Sequence, residues 1–244
     1  MKINKIYKGD CLELMPKYVD DKSVDMIFCD LPYGTTKCKW DSVIDLPKLW
    51  DEYERVIKDN GVILLFAQTP FDKVLGASNL KLLKYEWIWE KTQATGHLNA
   101  KKMPMKAHEN ILVFYKKLPT YKPQKTNGHK PINSYTKYIK TQNNTEIYGE
   151  MKREISGGGE TDRYPRSVIT FASDKQKSCL HPTQKPLSLI EYMIRTYTNE
   201  GDLILDNACG SGTTGLGAKN LGRNFIMMEQ DPEHYETACK RVLT

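Results

Sequence analysis

Two apolar runs, far apart in the chain, each end in an acidic residue and then a tight turn. Val24-Asp25-Met26-Ile27-Phe28-Cys29 leads into Asp30-Leu31-Pro32-Tyr33, and Asp202-Leu203-Ile204-Leu205 leads into Asp206-Asn207-Ala208-Cys209-Gly210-Ser211-Gly212. Short apolar runs bounded by turn residues predict buried strands. In an open α/β sheet, ligands bind at the carboxyl ends of strands, so two acidic strand ends can share one crevice. Their order, carboxylate-Pro-Tyr first and glycine-rich turn last, constrains the fold more than any other feature.

The rest of the chain follows α/β grammar with one interruption. Strands are predicted over 3–8 and 24–29, with a short helix or turn at Leu12-Glu13-Leu14-Met15. Leu46, Leu49, Trp50, Tyr53, Val56 and Ile57 follow helical spacing and predict an amphipathic helix over 46–58, stopped by Asn60-Gly61. A buried strand at 62–66 follows, then a helix opened by Pro70 and reaching about Ser78. Strands at 84–90 and 109–115 flank a loop long enough to suggest function or mobility. After His181 the pattern predicts a helix on Leu187, Ile190, Met193, Ile194 and Tyr197, a strand over 202–206, a helix over 213–220, a strand over 224–229 and a helix over 232–242.

Residues 116–178 break this rhythm. They contain Pro119, Pro123, Pro131, Asn143-Asn144 and Gly157-Gly158-Gly159, with Tyr121, Tyr135, Tyr138, Tyr148 and Tyr164 interleaved among lysines. Thirteen Lys/Arg against six Asp/Glu give this segment a surplus of seven positive charges, while the whole chain has +6. A local basic excess is the footprint of a polyanion binder, with a solvated lysine-rich insertion as the plain alternative. The expected organisation is three parts: 1–115, an insertion over 116–178, and 179–244.

At 244 residues the chain can bury a sizeable core as one domain plus an insertion. The first residues lack the apolar stretch of a signal peptide, and no run approaches the ~20 apolar residues of a membrane span. A cytoplasmic protein is expected. Cys11, Cys29, Cys38, Cys179, Cys209 and Cys239 form no Cys-x-x-Cys pair, so they are expected to be reduced and structural, with no metal site.

Gly210-Ser211-Gly212-Thr213-Thr214-Gly215 matches G-x-G-x-x-G between strand and helix, and Glu229 closes the next strand 19 residues after Gly210. Two observations count against a dinucleotide. Only 29 residues follow Gly215, too few to complete a second nucleotide-binding half downstream. Asp206 also precedes the glycines directly, and its charge would repel a pyrophosphate. It suits a nucleoside carrying a cationic sulfonium and an ammonium, which describes S-adenosylmethionine.

Six segments in this order resemble the β-class amino DNA methyltransferases over about the whole chain. They are Gly9-Asp10-Cys11-Leu12-Glu13-Leu14, Asp30-Leu31-Pro32-Tyr33-Gly34, His108-Glu109-Asn110-Ile111-Leu112-Val113-Phe114, His181-Pro182-Thr183-Gln184-Lys185-Pro186, the Asp206–Gly215 turn, and Phe225-Ile226-Met227-Met228-Glu229. Leu31 departs from the family, which usually has a proline there and uses that position mainly through its backbone. The resemblance implies a Rossmann-like, doubly wound, mostly parallel α/β sheet of the S-adenosylmethionine-dependent methyltransferase type. It is circularly permuted, with 116–178 as a target-recognition insertion. The cofactor would be S-adenosylmethionine and the partner double-stranded DNA; a homodimer and a cognate restriction endonuclease stay open.

By the same resemblance Asp206, Cys209, Gly210 and Gly212 would line the methionine end of the cofactor, Lys185 lies in the motif beside it, and Thr213 and Asp30 complete the cofactor-binding set. Glu229 would bind the ribose, and Asp10 and Cys11 would flank the adenine. Asp10 has a rival reading as a helix N-cap, and both can hold. His108 and His181 are expected to be structural. Lys152, Arg153, Arg163 and Arg166 are the candidate DNA contacts.

The catalytic residues implied are Asp30, Leu31, Pro32 and Tyr33. An exocyclic amino group is a poor nucleophile because its lone pair is delocalised into the base. Acceptors for both its hydrogens favour a tetrahedral nitrogen and stabilise the charge that develops. Asp30 can accept one hydrogen, the carbonyl of Leu31 or Pro32 the other, and Tyr33 can stack on the base. The base must leave the duplex to reach them. Asp in the first position resembles the adenine-N6 enzymes more than the cytosine-N4 ones, which more often have Ser; cytosine-N4 and RNA remain alternatives.

Overall fold

The computed structural model describes residues 1–34, 43–132, 135–138, 154–173 and 184–244. Among these residues eight strands form one sheet in the order β1-β10-β9-β2-β3-β5-β4-β8. In chain order these are β1 (Lys5–Lys8), β2 (Val24–Cys29), β3 (Ile57–Ala67), β4 (Leu83–Thr95), β5 (Lys106–Phe114), β8 (Val168–Phe171), β9 (Leu203–Asp206) and β10 (Asn224–Glu229). β1, β10, β9, β2 and β3 run parallel; β5 is antiparallel to both β3 and β4. β8 lies parallel to β4 at the edge.

Among the described residues six helices cover the sheet: α1 (Cys11–Tyr18), α2 (Leu46–Val56), α3 (Phe71–Ser78), α4 (Leu187–Tyr197), α5 (Thr213–Asn220) and α6 (Pro232–Val242). Alternation along β2 sends Ile27 and Cys29 into a core with Met15, Leu49, Tyr53 and Leu75. Met26 and Phe28 enter a second core with Ile190, Met193, Ala218 and Ala238. Both faces of the sheet are thereby buried, which explains why its central strands read as continuous apolar runs. The result is a doubly wound, mostly parallel α/β sheet.

The helices begin where their caps stand. Asp45 accepts from Lys48 N at 3.2 Å to start α2, and Asp231 accepts from Glu233 N and His234 N at 2.9 and 3.0 Å to start α6. One boundary differs from the helical spacing of 46–58. The α2 helix ends at Val56, and β3 begins at once with Ile57. Asn60-Gly61 does not stop the helix but lies inside β3, where the register against β2 shifts between Val24 and Met26. A Cβ on Gly61 would stand 2.8 Å from Ile57 Cδ1 and 3.0 Å from the Asp25 carbonyl, so glycine permits that bulge.

The chain forms two compact units, Met1–Lys122 with Ser167–Thr244, and Pro123–Arg166. The second is shorter at each end than 116–178, because β8 joins the main sheet and the Lys122 amide bonds the Thr196 carbonyl at 2.7 Å. Pro123–Arg166 contains an antiparallel pair, β6 (Tyr135–Tyr138) with β7 (Glu154–Gly157), so it is not wholly irregular. Thr126 and Arg163 exchange both backbone hydrogen bonds, at 3.0 and 2.8 Å, and Lys125 pairs with Asp162 at 2.8 Å.

Candidate active site

The sheet order reverses between β9 and β2, from which the chain winds outward in opposite directions. At such a switch point the loops part and leave a crevice at the carboxyl edge. Met26 pairs with Ile204 and Ile27 with Leu205, so Asp30 and Asp206 sit at the ends of adjacent strands. Both line a cavity of about 710 Å³, as do Asp10, Cys11, Leu31, Pro32, Tyr33, Lys185, Cys209, Gly210, Thr213 and Glu229. Residues separated by up to 219 positions in sequence thus meet around one space.

At one end, Asp30 accepts from the Tyr33 hydroxyl through Oδ1 at 2.8 Å and faces Lys185 Nζ through Oδ2 at 2.7 Å. Lys185 Nζ also lies 3.0 Å from Glu109 Oε2, and Lys91 Nζ lies 2.5 Å from Glu109 Oε1. Two ammonium groups and two carboxylates therefore alternate. Burial opposes the charge on Glu109, yet Lys185 and Lys91 hold its carboxyl down at about 2. Burial also opposes the charge on Lys185, but Asp30 and Glu109 raise it above the usual lysine range. For Asp30 burial prevails over Lys185, and the carboxyl stays above its ordinary value. The Tyr33 ring stacks on Phe71 at 5.2 Å, and Lys185 Nζ lies 4.9 Å from the centre of the Phe66 ring.

At the other end the two turns interlock. Asp10 accepts from Leu12 N at 2.8 Å, which bears out the N-cap reading, and it also lines the cavity. Asn207 bonds Cys11 Sγ at 3.4 Å and accepts from the Tyr53 hydroxyl at 2.6 Å. Glu229 accepts Gly210 N and Asp231 N, each at 2.8 Å, which fixes its carboxylate and leaves further lone pairs toward the cavity. Asp206 has no Lys or Arg within ion-pair distance among the described residues. Burial pushes its carboxyl up to about 7 against hydrogen bonds from Thr214 and Ala208.

The glycines of the turn divide their work. Gly210 has φ +53°, lines the cavity and has nothing within 4 Å of a built Cβ, so a side chain there would project into open space. Gly212, expected as a cofactor contact, is not among the residues lining the cavity. A Cβ on it would lie 3.0–3.2 Å from Val242 and Ala238, so its bareness admits α6. Gly215 lets α5 close on β10, where a Cβ would meet Met227 at 2.3 Å.

The candidate DNA contacts are placed unevenly. Arg163 donates to the carbonyls of Glu160 at 3.1 Å, Asp162 at 2.7 Å and Lys130, which makes it a clamp within its own unit. Arg166 is exposed. Lys152, Arg153 and His181 lie outside the described residues, as do Cys38 and Cys179; His108 is exposed on β5. Glu109, Lys91 and Phe71 are the participants that sequence reasoning missed. Glu109 did carry a signal, as a lone carboxylate heading the apolar run Ile111-Leu112-Val113-Phe114. Among the described residues no group of His, Cys, Asp and Glu could hold a metal ion, and no helix is long and apolar enough to cross a membrane.

Comparison with known proteins agrees with this geometry. The sequence model of the DNA methylase family N6_N4_Mtase matches residues 24–240. The Type II methyltransferase M1.MboII of Moraxella bovis is 31% identical over 256 residues, covering 98% of this chain and 96% of the relative. M2.MboI of the same organism is 27% identical over 262 residues, covering 97% and 86%. The crystal structure of an M1.HpyAVI–SAM complex superposes with a TM-score of 0.66 at 26% identity, covering 98% of this chain and 99% of that one. The cytosine-N4-specific PvuII DNA methyltransferase shares the fold, with a TM-score of 0.70 at 17% identity, covering 100% and 88%. The chain belongs to the N6/N4 DNA methylase family.

Proposed function

We propose that this protein is a site-specific DNA methyltransferase that transfers a methyl group from S-adenosylmethionine to N6 of a flipped-out adenine. The observation that carries the reading is the pair of carboxylates at adjacent strand ends, Asp30 with a lysine partner and Asp206 without one. Asp206 asks for a cation from the ligand, and Gly210 leaves the room a side chain would fill. S-adenosylmethionine fits, since it carries an ammonium and a sulfonium but no phosphate. Bound there, it supplies a methyl group made electrophilic by the sulfonium. Asp206 and Gly210 would hold its methionine end, Glu229 the ribose, and Asp10 and Cys11 the adenine.

The chain's own groups do the rest. Asp30 accepts one hydrogen of the target amino group, and the carbonyl of Leu31 or Pro32 accepts the other. Its burial makes Asp30 a better proton acceptor than an exposed carboxylate, so it can take the proton the amine loses. Lys185, held by Glu109, keeps the Asp30 carboxylate aimed and charged between turnovers. Tyr33, braced by Phe71 and bonded to Asp30, offers its cavity face to the base. Residues 116–178 read the site, and 1–115 with 179–244 form the catalytic and cofactor halves.

The test is modified-base sequencing of DNA from cells expressing the protein, beside a strain carrying Asp30→Ala. N6-methyladenine at one recurrent sequence, lost in the variant, is expected. N4-methylcytosine would overturn the base, and no modified DNA in either strain would overturn the reading.

A further inference from the structure

Strands β4 and β5 outrun the sheet. Their inner halves pair from Leu83↔Phe114 to Glu90↔His108, and the pairing then slips before Thr95↔Lys106. From the slip outward, Lys91, Gln93, Thr95 and Lys106 line the reaction cavity, so the connection over 96–105 continues the cavity wall outward. This tip is built, not merely extended. Gly96 turns it with φ +88°, residues His97–Asn99 form a 3-10 turn, and the amides of Asn99, Ala100, Lys102 and Met103 bond back within it at 2.8–3.1 Å.

Its side chains are sorted in a way a solvated loop does not require. Leu98 is 88% exposed, Met103 53% and Met105 41%, on a segment whose every residue from 92 to 108 is exposed. From Lys91 to His108 there are four lysines and no Asp or Glu. Ordered backbone holding apolar side chains in water, ringed by cations, matches a surface that is apolar inside and anionic outside. A base stack between two phosphate backbones is such a surface. Proteins that open duplexes insert apolar wedges of this kind between base steps.

We infer that the 96–105 tip enters the DNA beside the target, with Leu98 occupying the space vacated by the flipped base and Lys101 and Lys102 on the flanking phosphates. The inference rests on the DNA-methylation reading and adds to it the element that holds the duplex open. An apolar side chain in the gap offsets part of the unstacking cost of extruding the base.

The experiment uses the full chain and a duplex carrying the sequence that the wild type methylates. Single-turnover methyl transfer is measured for wild type and Leu98→Ala, on that duplex and on one with an abasic site opposite the target base. On the paired duplex the variant should be slower by about tenfold or more, and on the abasic duplex, where extrusion is easy, by less than about twofold. Lys101→Gln with Lys102→Gln should lower the salt slope of DNA binding by about two. Because Leu98 is exposed, folding of the variant is checked simply by an unchanged melting transition. Wild-type speed on the paired duplex, or equal loss on both, would overturn the wedge while leaving the methylation reading standing. A variant that loses self-association instead of rate would make the tip a contact between copies and overturn it too. Failure of the wild type to methylate any duplex would remove both readings together.

Discussion

Asp30 and Asp206 end neighbouring strands and line the same cavity, Asp30 half-buried and Asp206 buried, yet the fold furnishes them in opposite ways. Asp30 is given Lys185 and the Tyr33 hydroxyl, and Lys185 is anchored in turn by Glu109 and Lys91. Asp206 is given Thr214, Cys29 and the Ala208 amide and, among the described residues, no cation. The difference shows where the missing charge belongs. A half-buried carboxylate with its own lysine can face a neutral amino group without waiting for a ligand. A buried carboxylate without one is completed by a cationic ligand.

The largest effect should come from Asp30→Asn, which keeps the shape and removes the proton acceptor. Methyl transfer should fall by about 10³ while cofactor affinity, measured by calorimetry, stays within about threefold. Equal losses in rate and affinity would erase the division of labour. Lys185→Met comes next, with a rate loss of about 10² and the acidic limb of the pH–rate profile moved upward. The direction follows because the lysine lowers the Asp30 carboxyl, and removing it lets burial raise that carboxyl further. An unmoved limb would reduce Lys185 to a packing element.

Asp206→Asn should weaken cofactor binding by about thirtyfold without touching the rate at saturation. In the wild type, cofactor affinity should fall by up to about tenfold per pH unit below 7, because a cationic ligand needs Asp206 ionised. For the free protein the sign is opposite. A carboxyl raised by folding contributes stability that is present below its unfolded value and lost as pH rises toward 7. The melting shift induced by the cofactor should therefore grow from pH 6 to pH 8, and a flat response would contradict the unpaired state of Asp206. The smallest contrast lies in the glycines. Gly212→Ala should cost about 1–3 kcal/mol of stability by crowding α6. Gly210→Ala should cost less stability and more cofactor affinity.

Much of this was legible in order and periodicity. Among the described residues the six helices and strands β1, β2, β9 and β10 fall close to their predicted spans, because each carries a local pattern, an apolar period with a cap or turn at its end, whereas β3 and β4 each extend about five residues past theirs. The two acidic strand ends and their shared crevice were legible for the same reason. Asn60-Gly61 misled because a turn dipeptide and a bulge look alike until the partner strand is known. The packing of Gly212 against α6 was not legible, because glycine at a ligand turn and glycine under a helix share one letter.

By itself, the sequence determined the helices and central strands, the carboxylate-Pro-Tyr and glycine-rich turns, and the family they belong to, since these are written in neighbouring residues. Only the tertiary structure decided which cation serves which carboxylate. Lys91, Glu109 and Lys185 stand on separate elements, and nothing local marks them as partners until the sheet is assembled. It also decided that Asp206 is left unpaired, because burial and the absence of a lysine are properties of a surrounding volume, not of a stretch of chain.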